Sequence, residues 1–449
     1  MTAVYNRSLF GTDGVRGEAN CYPMTIEVCE GLADALVQRY CRCAGAESTT
    51  KPMVLIGKDT RISGDVFEHA LAAKFCSLGV SVALLGVVST PLLSEWVRKF
   101  PAELGIMVSA SHNIFSDNGL KVFKSQGLKL TDLEEQEIET IMQNGLQCSN
   151  SLGERVGTCR HLDPAPLKFY EKILGSVEKI ALGTLVVDAA NGSLAPVVGE
   201  IFRDFGAIVI NDIPNGVNIN HHCGAAHPSA IAEAVLRHKA DVGIAFDGDG
   251  DRLILADHNG AIIDGDHILA ILVESANMHA GEVVSTVMAN LAFEHYLTSR
   301  GIKLVRTNVG DKYIAEYMAN SKANIGGEPS GHIILKDHLP TGDALFAALK
   351  VLEYSAKFGR SISELGRIFQ SYPTVSRNIK IKDKTILANR HIQAAIEKFQ
   401  HQLHAHNARL VVRPSGTESL IRIYAEGNQK SPLENVVNQL ENLLKREEI

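Results

Sequence analysis

Ser111 and His112 stand side by side in Ser109-Ala110-Ser111-His112-Asn113, directly after the apolar run Ile106-Met107-Val108. A short apolar run that stops at small polar residues reads as a buried strand delivering a loop at its C-terminal edge. In open α/β sheets that edge is where ligands bind. The same excursion offers Asn113, Asp117, Asn118 and Lys121. A hydroxyl beside an imidazole, with a lysine ten positions on, has the makings of an activated nucleophile with a charge partner. The plainer reading is a turn whose Ser, Asn and Asp bond their own backbone.

A second group tips that balance. Val242–Phe246 runs into Asp247-Gly248-Asp249-Gly250-Asp251-Arg252. Alternate positions of an extended chain share a face, so the three carboxylates can converge on one point. Like charges held that close need a cation, and hard oxygen ligands suit magnesium completed by a phosphate. A calcium EF-hand loop shares the opening but needs Gly at position six and Glu at position twelve. Here those positions are Arg252 and His258, and the segment follows a strand rather than a helix.

Three further loops carry polar groups. Arg413-Pro414-Ser415-Gly416-Thr417-Glu418 combines a guanidinium, hydroxyls and an exposed glycine amide, a phosphate cradle to which Arg422 could add a second fork. Gly326–His332 presents Glu328, Ser330 and His332 on a glycine-punctuated loop able to grip sugar hydroxyls. Phe10–Gly17 reads as a flexible, exposed loop with Arg16 as a phosphate contact; its glycine spacing is neither a Walker A nor a Rossmann fingerprint.

The elements that position these groups follow a βα rhythm. Met53–Ile56, Val80–Leu85 and the Ser111 strand alternate with helices at 66–78 and 91–100, which predicts a parallel sheet with right-handed crossovers. A closing helix starts after Thr131, with Glu134 three residues later as a capping box. The rhythm recurs twice, over about 184–246 and 267–358, and the chain ends in an α+β module. A length of 449 residues exceeds one hydrophobic core, so several domains are expected. The net charge of −7 argues against nucleic-acid or anionic-membrane partners. No run is long enough to span a membrane, the N-terminus lacks a secretory core, and eight scattered cysteines fit reduced thiols in a cytoplasm.

Together these stretches resemble the α-D-phosphohexomutase family, most closely its bacterial branch acting on glucosamine phosphates. The motifs occur in family order: GTDGVRG, GKDTRISG at Gly57–Gly64, SASHN, VVDAANG, VNIN, DGDGDR, TVMANL, GEPSGH and RPSGTE. The resemblance implies three similar α/β domains with mixed sheets, at 1–160, 161–258 and 259–370, and a smaller α+β domain at 371–449, all around a central cleft. It implies that Ser111 carries the phosphoryl group and that Asp247, Asp249 and Asp251 bind one Mg2+ with the phosphoserine completing its shell. Glu328, Ser330 and His332 would contact sugar hydroxyls, and Arg413, Ser415, Gly416 and Thr417, with Arg422, would hold the phosphate not in transit. Arg16, His112, Lys121 and Arg252 would surround the reacting phosphate, with Lys121 favoured as acid/base.

The implied reaction interconverts glucosamine 6-phosphate and glucosamine 1-phosphate, with glucosamine 1,6-bisphosphate as intermediate and activator, for cell-wall precursors. A phosphate donor must charge Ser111, and a monomer or homodimer is expected. Three departures stand out. Ile114 replaces the usual proline after SASHN, so the loop is expected to be held by packing of Ile114 and Phe115. Pro329 occupies the position that distinguishes glucosamine from glucose and mannose enzymes, and matches neither. Ala225-Ala226 also removes two hydroxyls common in the family. The competing activities are the same chemistry on glucose or mannose phosphates, a sugar-phosphate phosphatase, and a non-catalytic sugar-phosphate sensor.

Overall fold

The computed structural model describes residues 9–41, 51–145, 148–174, 183–276, 278, 281–381, 383–405, 407–414 and 420–447. Ser415, Gly416 and Thr417 of the expected phosphate cradle lie outside the described residues.

Four sheets succeed one another along the chain. In the first, Met53–Lys58 lies parallel to Ser81–Val87 and Leu104–Val108, and Ser81–Val87 is parallel to Cys159–His161. The strands read from the rhythm are parallel as expected, and the mixed character that the resemblance implies enters at the next step. After the Ser111 loop the chain returns as the strand Asp117–Lys124, antiparallel to Leu104–Val108, and Val15–Glu18 pairs antiparallel with its other edge. Lys121, expected in the loop, therefore sits on a strand opposite Met107. Arg16 is likewise on a strand, opposite Gly119, rather than in a flexible exposed loop.

The second and third sheets repeat the device. Val242–Phe246 and Leu253–Asp257 form an antiparallel hairpin with the three aspartates at its tip. Ile325–Gly327 and Ile333–Leu335 form another, with Glu328–His332 at the tip. In each sheet a buried strand thus delivers its polar loop and turns straight back, instead of crossing over through a helix. The sheets are mixed for that reason. The fourth sheet, Thr374–Lys380, Leu420–Gly427 and Ala408–Pro414, is wholly antiparallel and backed by the helices Arg390–His404 and Lys430–Glu447.

Apolar packing decides which sheets share a core. In the first sheet alternate residues face opposite layers, so Val54 and Ile56 pack with Phe67 and Phe75 while Leu55 packs with Leu92 and Phe123. The second and third sheets share one core containing Leu185, Phe246, Leu253, Ile268, Val283 and Ile325. At about 1.5–3 kcal/mol for each large side chain buried, that shared layer fixes the aspartate hairpin against the Glu328 hairpin. The fourth sheet keeps its own core around Val375, Leu410, Ile421 and Val437. Local signals behave as expected: Thr131 caps Asp132–Gln143 through a capping box with Glu134. The helix Ile26–Tyr40, capped by Thr25, is not legible in the sequence rhythm.

Candidate active site

Ser111 is fully buried and holds a left-handed backbone (φ 52°), which costs a non-glycine residue on the order of 1–3 kcal/mol and persists only where surroundings enforce it. Its amide donates to the Ser109 hydroxyl (2.9 Å), which in turn donates to Asp59 (2.6 Å). Its own hydroxyl donates to Asp247 Oδ2 at 2.7 Å and lies 3.4 Å from His112 Nδ1. The loop is not held by apolar packing: Ile114 is 56% exposed and Phe115 38%. Arg61 and Asn220 hold it by bonding its carbonyls.

The three carboxylates converge as their spacing predicts, with ligand oxygens all within 4.8 Å of one another and every side chain buried. Gly248 permits the approach, since a Cβ there would meet the Ser111 carbonyl oxygen at 2.7 Å. Asp247 Oδ1 accepts the amides of Asp251 and Arg252, both at 3.1 Å, which curls the hairpin tip around it. Asp249 Oδ1 and Asp251 Oδ1 are buried with no hydrogen-bond partner. Bare buried acceptors beside a serine hydroxyl are the donor set a hard divalent cation takes, so the residues fit magnesium. Burial, then the charges of Asp251 and Asp249, push Asp247 well above the usual carboxylate range.

Lys121 reaches into the same cluster. Its ammonium donates to Asp249 (2.7 Å) and Asp251 (2.9 Å) and lies 3.1 Å from Asp13. Burial works against its charge, but Asp13, Asp249 and Asp251 outweigh it and hold the ammonium protonated. His112 behaves oppositely: the Arg252 guanidinium, then burial, push its ring down to about 3, so it is neutral near pH 7. Lys121 is thus cationic in this arrangement and His112 neutral.

Two arginines present unused donors. Arg16 Nε and Arg252 Nε are buried with no hydrogen-bond partner, although Arg16 also pairs with Asp13. Such cationic donors suit a phosphate. On the far side His332 places Nδ1 3.6 Å from Asp251 Oδ1 and Nε2 3.4 Å from Asp311 Oδ2. Glu328 accepts from the Gly310 amide (3.2 Å) and the Ser330 hydroxyl (3.3 Å). Gly331, at φ +91°, brings its carbonyl to the Leu253 amide at 2.9 Å and so ties the Glu328 loop to the aspartate hairpin. A Cβ at Gly331 would meet the Leu253 carbonyl oxygen at 2.0 Å. Gly331→Ala should therefore destabilise the chain by about 2–4 kcal/mol, read as a lower thermal midpoint; an unchanged midpoint would contradict that packing.

Arg413 and Arg422 face each other in register on the fourth sheet. Burial, then Arg422, push the Arg413 guanidinium down, and Glu328 partly offsets them. Two like charges paired across a ladder repel each other, and an anion between them would relieve that repulsion.

Several site residues are not singled out by the sequence: Asp13, Asp59, Arg61, Thr90, Lys129, Asn220 and Asp311. Thr90 donates to Asp249 (2.5 Å), and Lys129 joins Asp13 to Asp311. Asp13, Asp59 with Arg61, and Asn220 all sit inside the family-like motifs, so a charged or amide group in that setting is the available signal.

A serine hydroxyl bonded to one carboxylate of a buried triad, with two arginines whose Nε atoms have no hydrogen-bond partner, suits phosphoryl transfer on a chain of three mixed α/β units and a smaller fourth. The chain belongs to the phosphoglucomutase/phosphomannomutase family: it matches the alpha/beta/alpha domains I, II and III over residues 7–148, 168–260 and 264–372, and the C-terminal domain over 377–443. It is 39% identical over 445 residues to the phosphoglucosamine mutase of Rhizobium johnstonii, covering 97% of each chain. Among solved structures it is similar to a phosphoglucomutase/phosphomannomutase family protein from Burkholderia thailandensis (TM-score 0.80, 22% identity, 99% and 98% of the two chains). It is also similar to the N-acetylphosphoglucosamine mutase of Aspergillus fumigatus, solved with GlcNAc-6P and magnesium (TM-score 0.66, 17% identity, 99% and 96%). Among the described residues no helix is long and apolar enough to cross a membrane.

Proposed function

We propose that the chain interconverts glucosamine 6-phosphate and glucosamine 1-phosphate through a phosphoserine at Ser111 and glucosamine 1,6-bisphosphate. The observation that carries the chemistry is the Ser111 hydroxyl, 2.7 Å from Asp247 and beside two buried carboxylate oxygens without partners. The amino sugar rests on the full-length relatives named for it, since Pro329 carries no substrate signal.

Asp247, Asp249 and Asp251, with Ser111, would hold one Mg2+, which when bound offsets charge on the transferring phosphoryl group. Arg16 and Arg252 place their free donors on the same group, stabilising charge as the bond to Ser111 Oγ breaks and that to the sugar oxygen forms. Lys121, His112 and His332 are the acid/base candidates, with Lys121 favoured because it reaches the carboxylates beside Ser111. Glu328, Ser330 and His332 orient the sugar ring. Arg413 and Arg422, with Ser415, Gly416 and Thr417, grip the far phosphate, so the bisphosphate can turn and return the opposite phosphate to Ser111. The separate core of the fourth sheet lets it swing as a lid over residues 1–370 and exclude water, with the units divided at 160, 258 and 370. Ser111 must first be charged by a phosphate donor. The described cysteines are all free, in keeping with a reducing cytoplasm.

Matched assays on glucosamine, glucose and mannose 6-phosphates, with Mg2+ and a trace of bisphosphate, test the substrate. A preference of about tenfold or more for the amino sugar, about 1.4 kcal/mol in the transition state, is expected. Equal turnover of glucose or mannose phosphate would move the chain to that branch, and phosphate release matching isomer formation would make it a phosphatase.

A further inference from the structure

Arg61 is fully buried and spends its guanidinium on backbone. Its Nε is fixed by Asp59 at 2.9 Å. Its two terminal nitrogens donate to four carbonyls of the loop: Ser111 (3.0 Å), Asn113 (2.8 Å), Asp117 (3.0 Å) and Ile114. Asn220, from the segment between the second sheet's strands, donates from the other side to two of the same oxygens, Ser111 at 2.8 Å and Asn113 at 3.0 Å. Both partners are acceptors, so only the amide nitrogen of Asn220 can face them. Asn220 is itself 1% exposed, and its remaining oxygen is unpartnered. A residue so buried, presented to another unit's carbonyls, does little but fix where they lie.

We propose that Arg61 and Asn220 form a two-sided clamp that imposes the left-handed backbone at Ser111 and thereby sets its hydroxyl on the carboxylate triad. They are positioning residues, and the proposal rests on Ser111 being the phosphoryl carrier. The exposed Ile114 and Phe115 contribute no apolar anchor, so the hydrogen-bond clamp replaces packing in this loop. Arg61 faces the loop from the first sheet's unit and Asn220 from the second's, so the clamp also couples the nucleophile to the unit bearing Asp247, Asp249 and Asp251. Lysine at 61 would keep the charge and lose the planar fork that reaches four acceptors.

The test measures Arg61→Lys, Asn220→Ala and their double variant for kcat, KM for glucosamine 6-phosphate, thermal midpoint, and the rate of Ser111 labelling by glucosamine 1,6-bisphosphate. A displaced nucleophile should lower kcat and labelling together by about 100-fold in Arg61→Lys and about 10-fold in Asn220→Ala, with KM within about threefold. The double variant should lose less than the product of the single losses, because both residues grip the same oxygens. Asn220→Ala with unchanged kcat overturns the clamp, even if Arg61→Lys fails to fold. So does a loss of kcat matched by an equal loss of folded protein, or losses that multiply. Ser111→Ala run alongside separates the two levels: activity surviving there refutes the phosphoserine reading itself, whereas its loss with active clamp variants refutes the clamp alone.

Discussion

Ser111→Ala should lower mutase turnover by at least about 10^4-fold, about 5.4 kcal/mol of transition-state stabilisation, while leaving the fold intact. The serine hydroxyl donates to Asp247 at 2.7 Å and has only a long 3.4 Å contact with His112, so its loss should change stability by about 1 kcal/mol. Alanine tolerates the cavity because the loop is held through carbonyl oxygens that the substitution does not touch. No other described hydroxyl bonds Asp247, and Thr90, which bonds Asp249, is committed there. Parallel steady-state kinetics and thermal melts check the prediction. Turnover within tenfold of the unaltered chain would show that phosphate travels by another route.

Asp247→Asn should act in opposite directions on the metal-free and metal-loaded protein. In the metal-free protein Asp247 sits well above the usual carboxylate range because it is buried beside Asp251 and Asp249. A raised folded value means that folding favours the proton. That stabilisation is complete below about pH 4 and is lost as pH climbs through the raised value. Near neutrality the carboxyl therefore opposes folding, and the neutral amide should stabilise the metal-free chain by on the order of 1–3 kcal/mol. Asparagine can still accept the Asp251 and Arg252 amides and offer its NH2 to the Ser111 oxygen. With Mg2+ the sign reverses. The unaltered chain should gain about 2.7 kcal/mol at a hundredfold excess over Kd, and the variant should gain little and turn over at least about 10^3-fold more slowly. Melts with and without Mg2+ across pH 5–8 read both arms. A variant that melts lower without metal, or keeps the full Mg2+ shift, would contradict the assignment.

How much of this is legible in the sequence depends on the distance over which each feature is specified. The Thr131–Glu134 box is written within four residues and forms as read. The serine loop and the aspartate tip are legible because an apolar run breaks into small polar residues, and that break marks a strand end regardless of the next element. The return strand is harder to see. Asp117-Asn118-Gly119 looks like turn chemistry, and Lys121 is a buried charge on a strand with six consecutive buried positions, so neither period nor polarity announces the hairpin. The lysine belongs there only because Asp249 and Asp251 arrive from 128 and 130 residues away. The clamp is invisible for a similar reason: Arg61 and Asn220 bond backbone oxygens 50 and 109 residues distant, and carbonyls leave no signature in side-chain pattern. Ile114 reads as an anchor because a bulky apolar residue suggests burial, yet more than half of it faces solvent.

The central claim is that phosphate passes through Ser111 and back to sugar. Incubating the protein with Mg2+ and glucosamine 1,6-bisphosphate labelled in both phosphates, then mapping the labelled peptide, tests it directly. The label should appear on Ser111 and leave as sugar bisphosphate when unlabelled glucosamine 6-phosphate is added, with little free phosphate. Label that never reaches Ser111, or that leaves only as inorganic phosphate, would contradict the account.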